Sequence, residues 1–159
     1  MKGNGGDDVY PPAPIRDLVI KPVVYNESFS LSFISPGADL IIGMVSQYII
    51  FYSNNRTLLD NLTPSSNVSK VTEGMLSCNC TLDPLPALHK VDLNISSSFF
   101  EVMTEFNFRI LAVDNGGKTS TSNVVLFAPS PEPQISLSDL GLTWGIAVAI
   151  VIGSMDKIS

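Results

Sequence analysis

Apolar and polar residues alternate with a period of two through most of the chain between Arg16 and Phe127. No long stretch of this region repeats apolar residues at i, i+3, i+4 and i+7, so the pattern predicts strands and not helices. In segment 28–34 the side chains of Phe29, Leu31 and Phe33 alternate with serines. Because successive side chains of a strand point to opposite faces, the apolar residues share one face and the hydroxyls the other.

Five further segments show strand patterns: 17–24, 45–52, 91–96, 106–113 and 119–127. The last two flank Asp114-Asn115-Gly116-Gly117-Lys118, and Asn and Gly adopt positive φ at low cost, so this is the clearest predicted hairpin. Segment 91–96 places Asn94 on the face opposite its apolar residues. A seventh strand is expected between 55 and 88, as a short edge strand around 70–76. Together the pattern predicts an all-β sandwich of two sheets with about seven strands.

The two ends of the chain differ in composition from the middle. Residues 1–13 are rich in Gly, Asp and Pro and are predicted to form a flexible linker. The sandwich is expected over 14–128, followed by a Pro-rich juxtamembrane stalk over 129–139 and a short apolar segment over 140–155. The N-terminus lacks the apolar stretch of a signal peptide, so we expect the chain to be the C-terminal part of a longer precursor.

The apolar segment 140–155 bears on membrane attachment. As a helix it would span about 24 Å at 1.5 Å per residue, which is short of the roughly 30 Å of a hydrocarbon core. Three alternatives stay open: a truncated or marginal transmembrane helix, a tail removed during lipid anchoring, or a buried or aggregation-prone segment. Trp144 suits an interfacial anchor, whereas the Asp156-Lys157 pair disfavours the lipid-anchor signal.

Six Asn-x-Ser/Thr sequons precede this segment, at Asn26, Asn55, Asn61, Asn67, Asn79 and Asn94. An N-glycan is a bulky hydrophilic group, so each acceptor must lie on the surface of an extracellular or lumenal segment. The sequons predict a glycoprotein that is secreted or lies on the extracellular side of the plasma membrane. The alternative is a Ser- and Asn-rich loop in a protein that never meets the glycosylation machinery.

Charge and reactive residues narrow the function classes further. The net charge is −6 and no Lys/Arg cluster occurs, which argues against nucleic-acid binding. The two cysteines, Cys78 and Cys80, are expected either to bridge each other or to pair elsewhere in a longer precursor. With His89 as the only histidine, no metal or other cofactor is expected. No spacing suggests a nucleophile with its base, so we expect neither an enzyme nor a small-molecule substrate.

Several of these residues carry a family resemblance. Segments 32–39, 48–50 and 106–114, with Gly43, resemble a fibronectin type III module, an immunoglobulin-like sandwich. Phe33 stands where such modules commonly carry a tryptophan.

A more specific similarity is to the C-terminal region of the calcium-activated chloride channel regulators. It rests on Pro36-Gly37-Ala38-Asp39, Gly43, Tyr48-Ile49-Ile50 and Ser122-Asn123-Val124, and it covers roughly residues 14–153. Members of that family resemble secreted or membrane-associated proteins with a metal-dependent protease domain and a von Willebrand factor type A domain that engages channels. The chain has neither His-Glu-x-x-His nor Asp-x-Ser-x-Ser, so the protease activity is not carried over.

The resemblance implies a non-catalytic, extracellular, membrane-proximal module that acts as a spacer and protein-interaction domain. The implied partner is the rest of its own precursor or a channel. The alternative is a fragment of a cell-adhesion or receptor ectodomain with the same sandwich.

Overall fold

The computed structural model describes residues 10–24, 27–77 and 79–129, and these form an all-β sandwich. The seven strands are β1 (Val19–Val24), β2 (Ser28–Ile34), β3 (Gln47–Ser53), β4 (Lys90–Ser96), β5 (Phe106–Val113), β6 (Thr119–Thr121) and β7 (Val125–Phe127). Helical structure in the described residues is limited to three 3-10 turns, at Arg56–Leu59, Glu73–Met75 and Ser97–Phe99. The predicted fold class is therefore confirmed. The predicted linker over 1–13 lies largely, and the apolar tail wholly, outside the described residues.

The strands form two antiparallel sheets. One has the order β1-β2-β4, and in the other β5 pairs with β3 on one side and with β6 and β7 on the other. This connectivity is that of an immunoglobulin-type sandwich that lacks strand D, which in the complete fold lies beside the strand corresponding to β4. β6 and β7 pair with opposite ends of β5, so they are two halves of one edge strand interrupted at 122–124.

The core between the sheets is strongly aromatic. Phe29 of β2 stacks on Phe127 with ring centroids 3.9 Å apart and meets Phe108 edge-on at 5.5 Å. At the other end of the core Phe33 lies edge-on to Tyr48 at 5.2 Å. Offset and edge-to-face arrangements are favoured by the ring quadrupoles, so these contacts add to the stabilisation from burial alone.

A second apolar cluster covers the outer face of β3 and β5. Phe51 and Leu111 are fully buried there against Leu59, with Leu62 and Val113 beside them. Leu59 and Leu62 belong to the connection after β3, which therefore folds over the sheet as a third layer. This explains why β3 is buried on both faces, a point that sequence parity alone did not decide.

The prediction of a short edge strand around 70–76 is wrong. Lys70 and Leu76 instead form isolated bridges, to Phe51 and to Ile95 respectively. The seventh strand arises from the division of the last predicted strand into β6 and β7. The break is made by side chains: the Ser122 hydroxyl accepts from the backbone N–H of Ile110 at 2.8 Å, taking the place of a strand carbonyl.

The face of β2 that carries the serines is also largely shielded from solvent. Its serines alternate with the core phenylalanines as predicted, yet Ser30 and Ser32 are only 5% and 3% exposed. β2 is the central strand of its sheet, and Ser30 is paired with Lys21 on one side and Asn94 on the other. Small hydroxyls on a central strand are shielded by the longer side chains of the neighbouring strands.

The chain before β1 closes the gap at the broken edge strand. The Asn123 side chain accepts from the N–H of Leu18 at 3.1 Å and donates to the Leu18 carbonyl at 2.9 Å. The Asn123 N–H donates to the Ile15 carbonyl at 3.1 Å. An asparagine amide thus supplies the donor and acceptor of a missing backbone pair, and it holds the buried side chains of Ile15 and Leu18 in the core.

Candidate interaction surfaces

One end of the sandwich presents a group of large apolar side chains to solvent, which we call the distal loop surface. Its members and their exposed fractions are Leu40 45%, Ile41 60%, Ile42 70%, Met44 48% and Leu88 67%. They lie on two loops, one between β2 and β3 and one before β4. The Ala87 N–H donates to the Gly43 carbonyl at 3.0 Å and joins the loops into one surface.

The first of these loops has a fixed shape. The Gly37 N–H donates to the Leu40 carbonyl at 2.9 Å, and Asp39 and Ile42 exchange two backbone hydrogen bonds of 3.1 and 3.0 Å. A Cβ at Gly37 would lie 2.3 Å from the backbone nitrogen of Ile42, so the loop closes this tightly only because position 37 is glycine. Leu40 adopts a φ of 58°, a costly conformation for a non-glycine residue, which the surrounding hydrogen bonds maintain.

Tyr48 fixes the second loop to the sheet. Its hydroxyl hydrogen-bonds the hydroxyl of Ser35, which also donates to the Leu85 carbonyl at 2.7 Å. The Leu88 N–H donates to the Ser35 carbonyl at 2.8 Å. Burial raises the pKa of Tyr48 above its ordinary value, because the charged phenolate is poorly solvated there, although hydrogen bonding to Ser35 and Leu85 partly offsets this. A neutral tyrosine therefore anchors the distal loop surface.

The opposite end of the sandwich carries a smaller apolar group, which we call the exit tip. Phe99, Val102 and Met103 are 53%, 52% and 76% exposed, and they lie in the turn between β4 and β5. Phe100 of the same turn is buried among the core aromatics and fixes the turn to the sandwich. The Met103 N–H donates to the Pro129 carbonyl at 3.0 Å, so the chain leaves the described sandwich beside this tip.

The predicted glycan acceptors are mostly accessible. Asn55, Asn61, Asn67 and Asn79 are exposed, whereas Asn94 is half-buried on the edge strand β4, where its carbonyl accepts from Ser77 at 2.9 Å. Asn55 also caps the first 3-10 turn, since its side-chain oxygen accepts from the N–H of Thr57. Asn26 lies outside the described residues. Glycosylation itself stays a prediction.

The remaining candidate residues are scattered. Cys80 is half-buried and disulfide-bonded, while Cys78, the other cysteine of the predicted bridge, lies outside the described residues. His89 is exposed, and its Nδ1 lies 3.2 Å from the carbonyls of Pro86 and Ala87. Within 10–24, 27–77 and 79–129, no three or more His, Cys, Asp or Glu residues are grouped so that they could hold a metal ion.

Arg109 lies beside a surface cleft, but its guanidinium is already engaged. Its Nε donates to the Ser122 carbonyl at 2.8 Å, one terminal nitrogen to the Leu59 carbonyl at 2.8 Å and the other to the Thr121 hydroxyl at 3.0 Å. It joins the covering connection to the broken edge strand, which is a structural role. For the described part of the chain, no helix has the length and apolarity needed to cross a membrane.

Sequence reasoning did not single out the distal loop surface. The available signal was the run Leu40-Ile41-Ile42 between two glycines, Gly37 and Gly43, because a tight turn that carries consecutive large apolar residues cannot bury all of them. No protein-family model matches the chain, and no curated protein matches it either.

Proposed function

We propose that the chain is a non-catalytic extracellular module that lies next to a membrane, acts as a spacer and binds a protein partner. The observation that carries the proposal is the distal loop surface, in which five large apolar side chains are between 45% and 70% exposed. Single exposed apolar residues are ordinary on protein surfaces. A contiguous group on two hydrogen-bonded loops is typical of a site that another protein covers.

The construction of the loop supports binding as well. Gly37 and the hydrogen bonds around Asp39 hold Ile41 and Ile42 in place before any partner arrives. A surface that is already ordered loses little conformational entropy on association, so more of its apolar contact appears as affinity. A costly φ at Leu40 is also in keeping with a functional loop, since such conformations cluster at binding sites.

The resemblance to the calcium-activated chloride channel regulators suggests what the partner is. It would be the rest of the chain's own precursor or a channel, and any effect on ion transport would pass through that contact. The exposed sequons Asn55, Asn61 and Asn67 support an extracellular location. A fragment of a cell-adhesion or receptor ectodomain is the second candidate, since the distal loop surface would serve it equally.

The test is site-specific photo-crosslinking of the secreted or surface-displayed chain in glycosylating cells. A photoreactive amino acid at Ile42 or Leu88 should give the same discrete adduct. At Leu126, which is 52% exposed on β7, it should give none. Excess unlabelled chain should compete for the adduct, whereas a competitor with Ile42→Glu should not.

Two results would count against the proposal. Equal adducts from Ile42 and Leu126, or no adduct at either distal position, would show that the distal loop surface is not a binding site. A chain that loses no mass on enzymatic deglycosylation, although its sequons are exposed, would contradict the extracellular location.

A further inference from the structure

We propose that the exit tip lies in the headgroup region of a lipid bilayer, so that the sandwich stands upright with the distal loop surface pointing away from the membrane. The inference rests on the proposed membrane-proximal function and adds an orientation and a second lipid contact to it.

The strand directions place the tip and the departing chain at one end. β7 is antiparallel to β5, with Phe127 opposite Phe106, so the chain continues past the beginning of β5. The hydrogen bond from Met103 to Pro129 confirms that it passes the exit tip. The apolar run that starts at Leu140 follows eleven residues later, and an extended chain of that length reaches no farther than about 40 Å.

The distal loop surface lies at the opposite end. Its first loop connects the end of β2 to the start of β3, and Gln47 at that start pairs with Val113 at the far end of β5. If the apolar run after Leu140 enters a bilayer, the exit tip is therefore the part of the sandwich that faces it.

The composition of the tip fits lipid contact. An aromatic ring, a valine and a flexible methionine project together, and aromatic residues favour the boundary between headgroups and acyl chains. The burial of Phe100 gives the projecting residues a firm base. Glu101 and Glu105, also exposed in this turn, would be repelled by anionic lipid. The predicted surface is therefore a zwitterionic one, whereas anionic lipids are characteristic of the cytoplasmic leaflet.

The test measures the depth of single tryptophans in the full chain, reconstituted with phosphatidylcholine vesicles whose acyl chains are brominated close to the headgroups. The native chain reports on Trp144. Two variants in a Trp144→Phe background carry Phe99→Trp at the exit tip or Leu88→Trp at the distal loop surface. We expect the tryptophan emission of the Phe99→Trp variant to be lower in brominated than in unbrominated vesicles, because a ring at the boundary between headgroups and acyl chains lies close to the bromine atoms. The tryptophan emission of the Leu88→Trp variant should be unaffected by the brominated lipid.

The outcomes separate this inference from the proposed function. If Trp144 is quenched but the Phe99→Trp and Leu88→Trp variants are equally unaffected, the tail enters the bilayer and the tip does not, which overturns the inference alone. If neither Trp144 nor the Phe99→Trp variant is quenched, the tip contact and the membrane-proximal location both fail, whereas partner binding by the distal loop surface is judged by the crosslinking experiment. Quenching of the Phe99→Trp variant without quenching of Trp144 would support the tip contact and contradict the role of the tail.

Two further measurements distinguish contact of the exit tip with lipid from contact with another copy of the chain. An additional Met103→Glu substitution should reverse the quenching of the Phe99→Trp variant, because it places a charge among the headgroups. A blue shift of that variant that depends on chain concentration and needs no lipid would instead identify the tip as a contact between copies, and would overturn the inference.

Discussion

Two adjacent leucines provide a sharp test of the layer that covers the outer face of β3 and β5. Leu59 is fully buried against Phe51 and Leu111, whereas Leu58, in the same 3-10 turn, is 53% exposed. Leu59→Ala removes three buried carbons and leaves a cavity, since the fully buried neighbours can close it only in part. The expected loss is about 2–5 kcal/mol of unfolding free energy, a large share of the roughly 5–15 kcal/mol of an ordinary domain.

Leu58→Ala is the matched control, and its effect should stay within about 0.5 kcal/mol. Urea unfolding followed by far-ultraviolet circular dichroism measures both, and the midpoint should fall for Leu59→Ala while the m-value is unchanged. Equal effects of the two substitutions, or a loss below about 0.5 kcal/mol for Leu59→Ala, would show that the connection after β3 is a peripheral loop and not part of the folded core.

The remaining predictions concern Tyr48 and Asn123. Because the pKa of Tyr48 is raised above 10.0 in the folded chain, its contribution to stability is fully present below about pH 10 and is lost as the pH rises through the folded pKa. The melting temperature of the native chain should therefore fall more steeply above pH 10 than that of Tyr48→Phe; parallel curves would refute this. Asn123→Ala removes both hydrogen bonds to Leu18 and should cost about 1–3 kcal/mol in urea unfolding. Asn115→Ala, at an exposed turn position, should change the free energy of unfolding little. Equal losses for the two substitutions would contradict the role of the Asn123 side chain in holding the segment before β1 in place.

The strands themselves were largely predictable, because alternation along β2, β4 and β5 reflects one apolar face on each. Leu93 and Ile95 are buried and Asp92 is exposed, as the period of two requires. The hairpin after Val113 was also predictable. Gly117 adopts a φ of 86°, and the Asp114 side chain accepts from the N–H groups of Gly116 and Lys118.

What the sequence did not reveal depends on contacts between distant segments. Leu59 could have been an exposed loop residue as readily as its neighbour Leu58, and only the apolar outer face of β3 decides between them. The division of the last strand was equally hidden, because Ser122 and Asn123 have ordinary strand neighbours in the sequence. Their side chains bind backbone groups on other segments, Ile110 of β5 and Leu18 before β1. The distal loop surface was missed because a period-two analysis assigns no face to residues in a turn.

The pairing of Asn123 with Leu18 joins residues 105 positions apart, and this affects the order of events during synthesis. The first segment of the sandwich cannot take its final position until nearly all of the module has left the ribosome, because its partner emerges almost last. β5, the central strand of the second sheet, is also made late. Long-range pairings of this kind fold slowly. If the chain is glycosylated as predicted, Asn94, which is half-buried once β4 is in place, would pass through a period in which it is open to the glycosylating enzyme. Its modification would then be decided by the timing of folding and not by its final exposure.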